Sequence, residues 1–105
     1  MPDKERLRKR ASTVDAIRRA IEQPRPMDDW RKAHICAAIS CFHSGLYGLA
    51  AIQADLSTLP ISANIPFKID TETQQLTLED LRDSFAAVEQ MPPAPPLLAP
   101  SSPEK

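Results

Sequence analysis

The sequence predicts a mainly α-helical fold: a small helical domain built on an αα-hairpin, with one short β-hairpin and disordered ends. Apolar residues recur at three- and four-residue spacing over residues 13–22, 28–57 and 78–90, which is the pattern of amphipathic helices. A glycine at position 45 divides the long central segment. Beyond Met91, six of the last fourteen residues are proline, a composition that cannot build a packed core.

Length and composition allow one domain. The chain has 105 residues, of which 42% are apolar and only five are aromatic. We divide it into a basic N-terminal extension (1–11), a single helical domain (12–90) and a proline-rich tail (91–105). A domain this short buries only about 60% of the surface of its unfolded chain. We therefore expect a second copy or another protein to cover part of it.

The central segment, residues 28–57, organises the predicted domain. Asp28 or Asp29 can cap its first helix, because a short carboxylate accepts hydrogen bonds from the free amides of the first turn. The bulky stripe of that helix consists of Ile35, Ala38, Ile39 and Phe42. A second stripe holds only small side chains, namely Ala37, Ala38, Cys41 and Ser44. Small residues allow a neighbouring helix to approach closely.

Gly45 decides between a hairpin and one long helix. Glycine takes a positive φ without steric cost, which suits the C-terminal end of a helix. The following segment carries Leu49, Ile52 and Leu56 as bulk and alanines as its own small face. These features favour two antiparallel helices. The alternative is one continuous helix of about thirty residues in which Gly45 and Gly48 each cost roughly 1 kcal/mol.

The N-terminal part predicts a further helix over residues 13–22. Ser12 or Thr13 can cap it, and its apolar stripe extends backwards into the basic segment, so the helix could begin earlier. The sequence Gln-Pro-Arg-Pro at 23–26 ends it, because each proline disfavours helical conformation in the residue before it.

A different pattern follows Pro60. Residues 67–70 and 75–78 alternate apolar and polar side chains around the polar segment 71–74, which predicts a short β-hairpin. The alternative is an irregular loop. Thr77, with Asp80 three residues later, then forms a capping signal for a last helix over 78–90, whose apolar stripe includes Leu81, Phe85 and Val88.

The segment Gly45-Leu46-Tyr47-Gly48-Leu49-Ala50 resembles the G-x-Y-x-x-A turn of a tetratricopeptide helical hairpin. Alanines at 16 and 20 precede those at 50 and 54 by thirty-four residues, the repeat length of that family. The resemblance covers at most residues 13–60. It implies a helical hairpin that packs on its neighbours.

Four residues have side chains of metal-binding type: His34, Cys36, Cys41 and His43. The pairs that share one side of a helix are seven residues apart, or about 10.5 Å along its axis. Zinc needs all of its ligands within about 2.0–2.3 Å, so one straight helix cannot form a site. We expect no metal, no cofactor and no enzymatic activity. The two cysteines are poorly placed for a disulfide, which favours reduced thiols and a cytoplasmic location.

The charge is unevenly distributed. Residues 1–32 carry a balance of +4 and residues 33–105 a balance of −5. A basic N-terminal region could contact phosphates, and the candidate nucleic-acid contacts are Lys4, Arg6, Arg8, Lys9, Arg10, Arg18 and Arg19. The other interpretation is a solvated helix end that aids solubility. No apolar run is long enough to predict a signal peptide or a membrane span.

The sequence therefore predicts a small helical protein–protein interaction protein: an adaptor, a chaperone-like partner, an inhibitor or a small subunit of a complex. Its partner would be another protein or a second copy of itself. The alternative is a nucleic-acid-associated accessory protein that uses the basic N-terminal region. The candidate interaction residues are Trp30, Ile35, Ile39, Phe42, Tyr47, Leu49, Ile52 and Leu56.

Overall fold

The computed structural model describes residues 2–59 and 69–92. This part of the chain is mainly helical and contains no strand. Its five helices are α1 (Pro2–Glu22), α2 (Asp29–His43), α3 (Tyr47–Ser57), α4 (Thr71–Gln74) and α5 (Leu78–Glu89). The proline-rich tail predicted over 91–105 lies outside the described residues from position 93 onwards.

Helix α1 runs without interruption through the basic segment, so the earlier of the two predicted starting points is correct. Thr13 lies in the middle of the helix and not at its beginning. Its side chain is buried, and its single hydroxyl proton is shared between the Lys9 carbonyl at 2.8 Å and the Tyr47 carbonyl at 3.2 Å. The second bond ties the middle of α1 to the first turn of α3.

The buried side chain of Arg31 holds the end of α1. Prolines at 24 and 26 stop the helix, and its last carbonyls then have no partner within it. Arg31 on α2 is 1% exposed, and its guanidinium donates to the Ala20 carbonyl at 2.7 Å and to the Arg25 carbonyl at 2.5 Å. Burial, followed by the nearby Arg25 charge, lowers the pKa of Arg31.

Helices α2 and α3 are separate, so the continuous helix is wrong. The Asp28 carboxylate caps α2 by accepting from the Arg31 amide at 2.8 Å. Gly45 has a φ of 82°, and the Leu46 amide donates to the Cys41 carbonyl at 2.8 Å. This left-handed turn satisfies the end of α2 and starts α3 two residues later.

The core forms where α1, α2, α3 and α5 meet. Phe42 lies near its centre, with the Tyr47 and Phe85 rings each 5.4 Å away between centroids. Its buried apolar members are Val14, Ile17, Ala20, Ile21, Ile35, Ala38, Ile39, Phe42, Tyr47, Ala50, Ala54, Leu81 and Phe85. Helix α2 packs chiefly against α3, and α3 also packs against α1.

The β-hairpin prediction is wrong where the structure describes it. Residues 71–74 form the short helix α4 in place of a turn, and residues 75–78 lead into α5 in place of a second strand. The Asp70 carboxylate caps α4 by accepting from the Thr73 amide at 2.7 Å, a bond that lowers the pKa of Asp70. A local cap of this kind outcompetes two four-residue strands, which are unstable alone. Residues 67 and 68 of the predicted first strand lie outside the described residues.

The last helix agrees with its prediction. Thr77 accepts from the Asp80 amide at 3.1 Å, and the Asp80 carboxylate accepts from the Thr77 amide at 2.9 Å. This reciprocal capping box fixes the start of α5 at Leu78. Leu81 and Phe85 enter the core from its inner side.

Candidate protein-binding face on α3

Large aliphatic side chains lie on the outside of α3. The exposed fractions are 36% for Leu46, 45% for Leu49, 55% for Ile52 and 48% for Leu59. Leu56 lies in the same row and is half-buried. We call this row, formed by Leu46, Leu49, Ile52, Leu56 and Leu59, the outer face of α3. Leu49, Ile52 and Leu56 recur every three or four residues within α3 and share one side of it. Leu46, which is the N-cap of α3, and Leu59, which follows the C-cap Thr58, lie just outside its two ends.

The buried side of α3 explains why its large aliphatic residues lie on the outside. The helix buries Tyr47, Ala50, Ala54 and Ser57 against α1 and α2. Three of these four side chains are small, which allows the close helix packing that the sequence predicts. Each residue advances a helix by about 100°, so the outer face lies opposite this buried side. Most surface helices of globular proteins have the reverse arrangement, with bulk inside and polar residues outside.

Cations from α1 border the outer face at the beginning of α3. The Arg6 guanidinium lies over the Tyr47 ring, 5.2 Å from its centroid. The Lys9 Nζ is 3.8 Å from the position that a Cβ on Gly48 would occupy. A groove of about 390 Å³ separates the two helices here and is lined by Glu5, Arg6, Lys9, Gly45, Leu46, Tyr47, Gly48 and Leu49. This end of the outer face is therefore positively charged.

Polar contacts from α2 border the other edge. The Trp30 indole donates to the Leu56 carbonyl at 2.7 Å. His34 Nδ1 lies 2.7 Å from the Gln53 side-chain oxygen. The Trp30 and His34 rings also pack edge to face, with centroids 4.3 Å apart. The two hydrogen bonds join α2 to α3 along this edge of the outer face.

The predicted interaction residues divide into two groups. Four are buried in the core, namely Ile35, Ile39, Phe42 and Tyr47. Leu49 and Ile52 are exposed members of the outer face, Leu56 is a half-buried member of it, and Trp30 is half-buried at its edge. The sequence interpretation did not include Leu46 and Leu59. Their three-residue spacing from Leu49 and Leu56 is the signal that extends the row in both directions.

The candidate nucleic-acid contacts also divide. Arg10 donates to the Glu89 carbonyl at 2.9 Å and lies 4.8 Å from the Phe42 ring centroid, while Arg18 pairs with the Glu89 carboxylate at 2.6 Å. These two cations are engaged in holding α5 on α1. Arg6 is half-buried over Tyr47. The exposed candidates other than Arg18 are Lys4, Arg8, Lys9 and Arg19.

A smaller cleft of about 230 Å³ lies between α1 and α5. The Glu22–Arg82 and Arg18–Glu89 ion pairs frame it, and Ile21 and Phe85 are in its lining. Arg82 donates through two nitrogens to the Glu22 carboxylate, which lowers the pKa of Glu22. The charged groups of this cleft satisfy one another, so it is a helix–helix seam.

The residues of metal-binding type stay apart. Within residues 2–59 and 69–92, no three His, Cys, Asp or Glu side chains are grouped to hold a metal ion. Cys36 and Cys41 are half-buried and form no disulfide. Burial, and secondarily the Asp70 carboxylate, raises the pKa of the Cys36 thiol. Cys36 is therefore protonated and poorly nucleophilic at neutral pH.

No family model matches this chain, and neither the curated proteins nor the solved structures contain a significant match. Among the helices described here, none is long and apolar enough to cross a membrane.

Proposed function

We propose that this chain is a protein–protein interaction protein that binds its partner through the outer face of α3. One observation carries the proposal: apart from Tyr47, α3 buries small side chains, and large aliphatic ones on its other side and at its ends are exposed or half-exposed. Scattered apolar residues are normal on a surface, but a contiguous apolar patch of several hundred Å² marks an interaction site. The outer face has a member every three or four residues from Leu46 to Leu59.

Burying the outer face against a partner is favourable in free energy. Full burial of a Leu or Ile side chain stabilises by about 1.5–3 kcal/mol, so covering a half-exposed one contributes about 1 kcal/mol. On this side α3 is already joined to α2 by the Trp30 and His34 hydrogen bonds. A partner would therefore bind without a large ordering cost on this side.

The proposal includes two further elements. The first is that the α2–α3 pair is an αα-hairpin of tetratricopeptide-like packing. The hydrogen bond between Thr13 on α1 and Tyr47 on α3 supports it, because these residues are 34 positions apart and 34 residues is the repeat length of that family. The location is cytoplasmic, supported by the unpaired thiols of Cys36 and Cys41.

A photo-crosslinking amino acid at position 52 tests the proposal. Position 7 provides the matched control, because Leu7 is 52% exposed and Ile52 is 55% exposed, but Leu7 lies on α1 outside the outer face. We expect a defined crosslinked species from position 52 in a lysate of the source cells, and its loss when Leu49→Asp is added. Equal products from positions 52 and 7, or none from position 52, would contradict the proposal.

A further inference from the structure

We infer that the occupant of the outer face is α3 of a second copy of this chain, in antiparallel orientation. The inference rests on the proposed function and names its partner. Two observations carry it independently: the spacing of the aliphatic residues along α3, and the positions of the charges on one flank of that helix.

The spacing of the outer face is symmetric about its centre. Leu46 and Leu59 lie at equal distances from the midpoint between positions 52 and 53, and so do Leu49 and Leu56. When two such helices run antiparallel about a two-fold axis at that midpoint, Leu46, just before α3 in each copy, lies at the same end of the contact as Leu59, just after α3 in the other. Leu49 meets Leu56 in the same way, and the two Ile52 side chains meet near the axis. This is the self-complementarity that an isologous interface requires.

The charges on one flank are also self-complementary. Positions 48 and 55 are seven residues apart, so they lie on the same side of α3. Lys9 lies over Gly48, and Asp55 is the only charged residue of α3 itself. In the antiparallel pair, Asp55 of the second copy lies level with position 50, about 3 Å along the axis from Gly48. The dimer therefore forms two Lys9–Asp55 pairs.

A parallel pair would lose these contacts. It would place the two N-terminal ends of α3 side by side, together with Arg6 and Lys9 of both copies. Helix N-termini carry partial positive charge, so like charges would meet at one end. The antiparallel arrangement instead places each positively charged end beside the C-terminal end of the other α3. A helix from an unrelated protein would require neither the symmetric spacing nor the paired charges on one flank.

The contact is small. One eleven-residue helix and its neighbours form the face, which places the dimer among the weak interfaces of less than about 1,200 Å² in total. We therefore expect a concentration-dependent equilibrium between monomer and dimer. Sedimentation equilibrium of the full chain from about 5 to about 500 µM covers the affinities of such weak interfaces.

Three sets of variants test the arrangement. Ile52→Asp places two carboxylates at the axis and should abolish the dimer over the whole range, while the matched control Leu7→Asp should leave it unchanged. Asp55→Lys and Lys9→Asp should each weaken the dimer roughly tenfold at low salt. The double variant restores both pairs with reversed sign and should recover most of that loss. Circular dichroism confirms that each exposed substitution leaves the fold intact.

The outcomes separate this inference from the proposed function. A wild-type chain that remains monomeric throughout the range overturns the inference. If position 52 still crosslinks to a different protein, the proposed function survives with a heterologous partner. A dimer that persists in Ile52→Asp, or charge variants whose effects simply add, would overturn the antiparallel α3 contact. Absence of both dimer and crosslink would overturn the inference and the proposed function together.

Discussion

Arg31 is the residue for which sequence patterns are least informative. An arginine within an amphipathic helix is usually solvent-exposed, and nothing in its spacing distinguishes Arg31 from Lys32. Its role follows from the prolines that stop α1 just before α2 returns past that end. The exposed carbonyls there need donors, and a guanidinium supplies five N–H groups in a fixed plane. Only the fold brings the carbonyls and the guanidinium together.

Arg31→Ala is expected to destabilise the protein by roughly 2–4 kcal/mol, because several charge-assisted bonds are lost and carbonyls at the end of α1 stay buried without partners. Urea unfolding measures the loss. Arg25→Ala is the comparison, since the Arg25 side chain makes one long bond of 3.3 Å to the Ser57 carbonyl. Equal losses for the two variants would contradict the capping role of Arg31.

Tyr47→Phe is expected to be neutral or slightly stabilising. Tyr47 is 4% exposed, and its buried hydroxyl has no hydrogen-bond partner among the described residues. Removing an unsatisfied buried hydroxyl recovers up to about 1 kcal/mol, while the ring keeps its contacts with Phe42 and Arg6. Thermal unfolding checks this expectation. A loss of stability in Tyr47→Phe would show that the hydroxyl has a favourable partner.

At the scale of elements, helices were predicted well where several local signals agree. Two of these signals are N-caps, at Asp28 and Thr77, and the third is the break at Gly45. Each depends only on side-chain or backbone contacts between residues within about four positions of one another. The β-hairpin prediction is wrong over residues 69–78, because the alternating pattern there has no strand elsewhere in the described chain with which to pair. In that segment the local cap of Asp70 decided the conformation.

The outer face of α3 shows why the candidate site was predicted only in part. The short chain predicted that a second copy or another protein covers part of the domain, and Leu49 and Ile52 are indeed exposed. Which bulky residues stay exposed depends on which helix lies in the middle of the bundle. Helix α2 contacts the other four helices and buries its stripe. Helix α3 lies at the side of the bundle, where it packs against α1 and α2 through its face of mainly small residues. Its bulky residues on the other side therefore stay exposed.

Gly45→Ala is expected to destabilise the α2–α3 connection by about 1–2 kcal/mol, because a φ of 82° places any Cβ in the disfavoured left-handed region. Gly48→Ala is the matched control: Gly48 is helical, its added Cβ would meet only the Lys9 Nζ at 3.8 Å, and Ala favours helix by about 1 kcal/mol. Chemical denaturation should therefore separate the two variants in opposite directions. A stabilised Gly45→Ala would contradict the assigned turn.

At the scale of the whole molecule, α5 closes the bundle by clamping onto α1 at both ends of one cleft. Arg82 pairs with Glu22 at one end, and Arg18 pairs with Glu89 at the other. Arg10 adds bonds to the Glu89 and Met91 carbonyls, which cap the end of α5. Two cations of the N-terminal third, Arg10 and Arg18, therefore join the first and last helices. This use of charge leaves less of it available for nucleic acid.

The Glu22–Arg82 ion pair makes the packing of α5 on α1 sensitive to low pH. The hydrogen bond from Arg82 lowers the pKa of Glu22 below its ordinary 4.5, so the folded state favours the ionised carboxylate. For a group with a depressed pKa in the folded state, the stabilisation is complete above the unfolded-state pKa and is lost as the pH falls through the folded-state pKa. Glu22→Gln should therefore be less stable than wild type at pH 7. The difference should shrink as the pH falls below 4.5.

Urea titrations of wild type and Glu22→Gln across this pH range measure the effect. Because both partners are about half exposed, the difference at pH 7 should be small and should decrease with added salt. Asp15→Asn is the control, since Asp15 is an exposed carboxylate on the same helix and makes no ion pair with the described residues. A pH-independent difference for Glu22→Gln would show that residue 22 contributes by packing alone, and α5 would then be held to α1 without its charges.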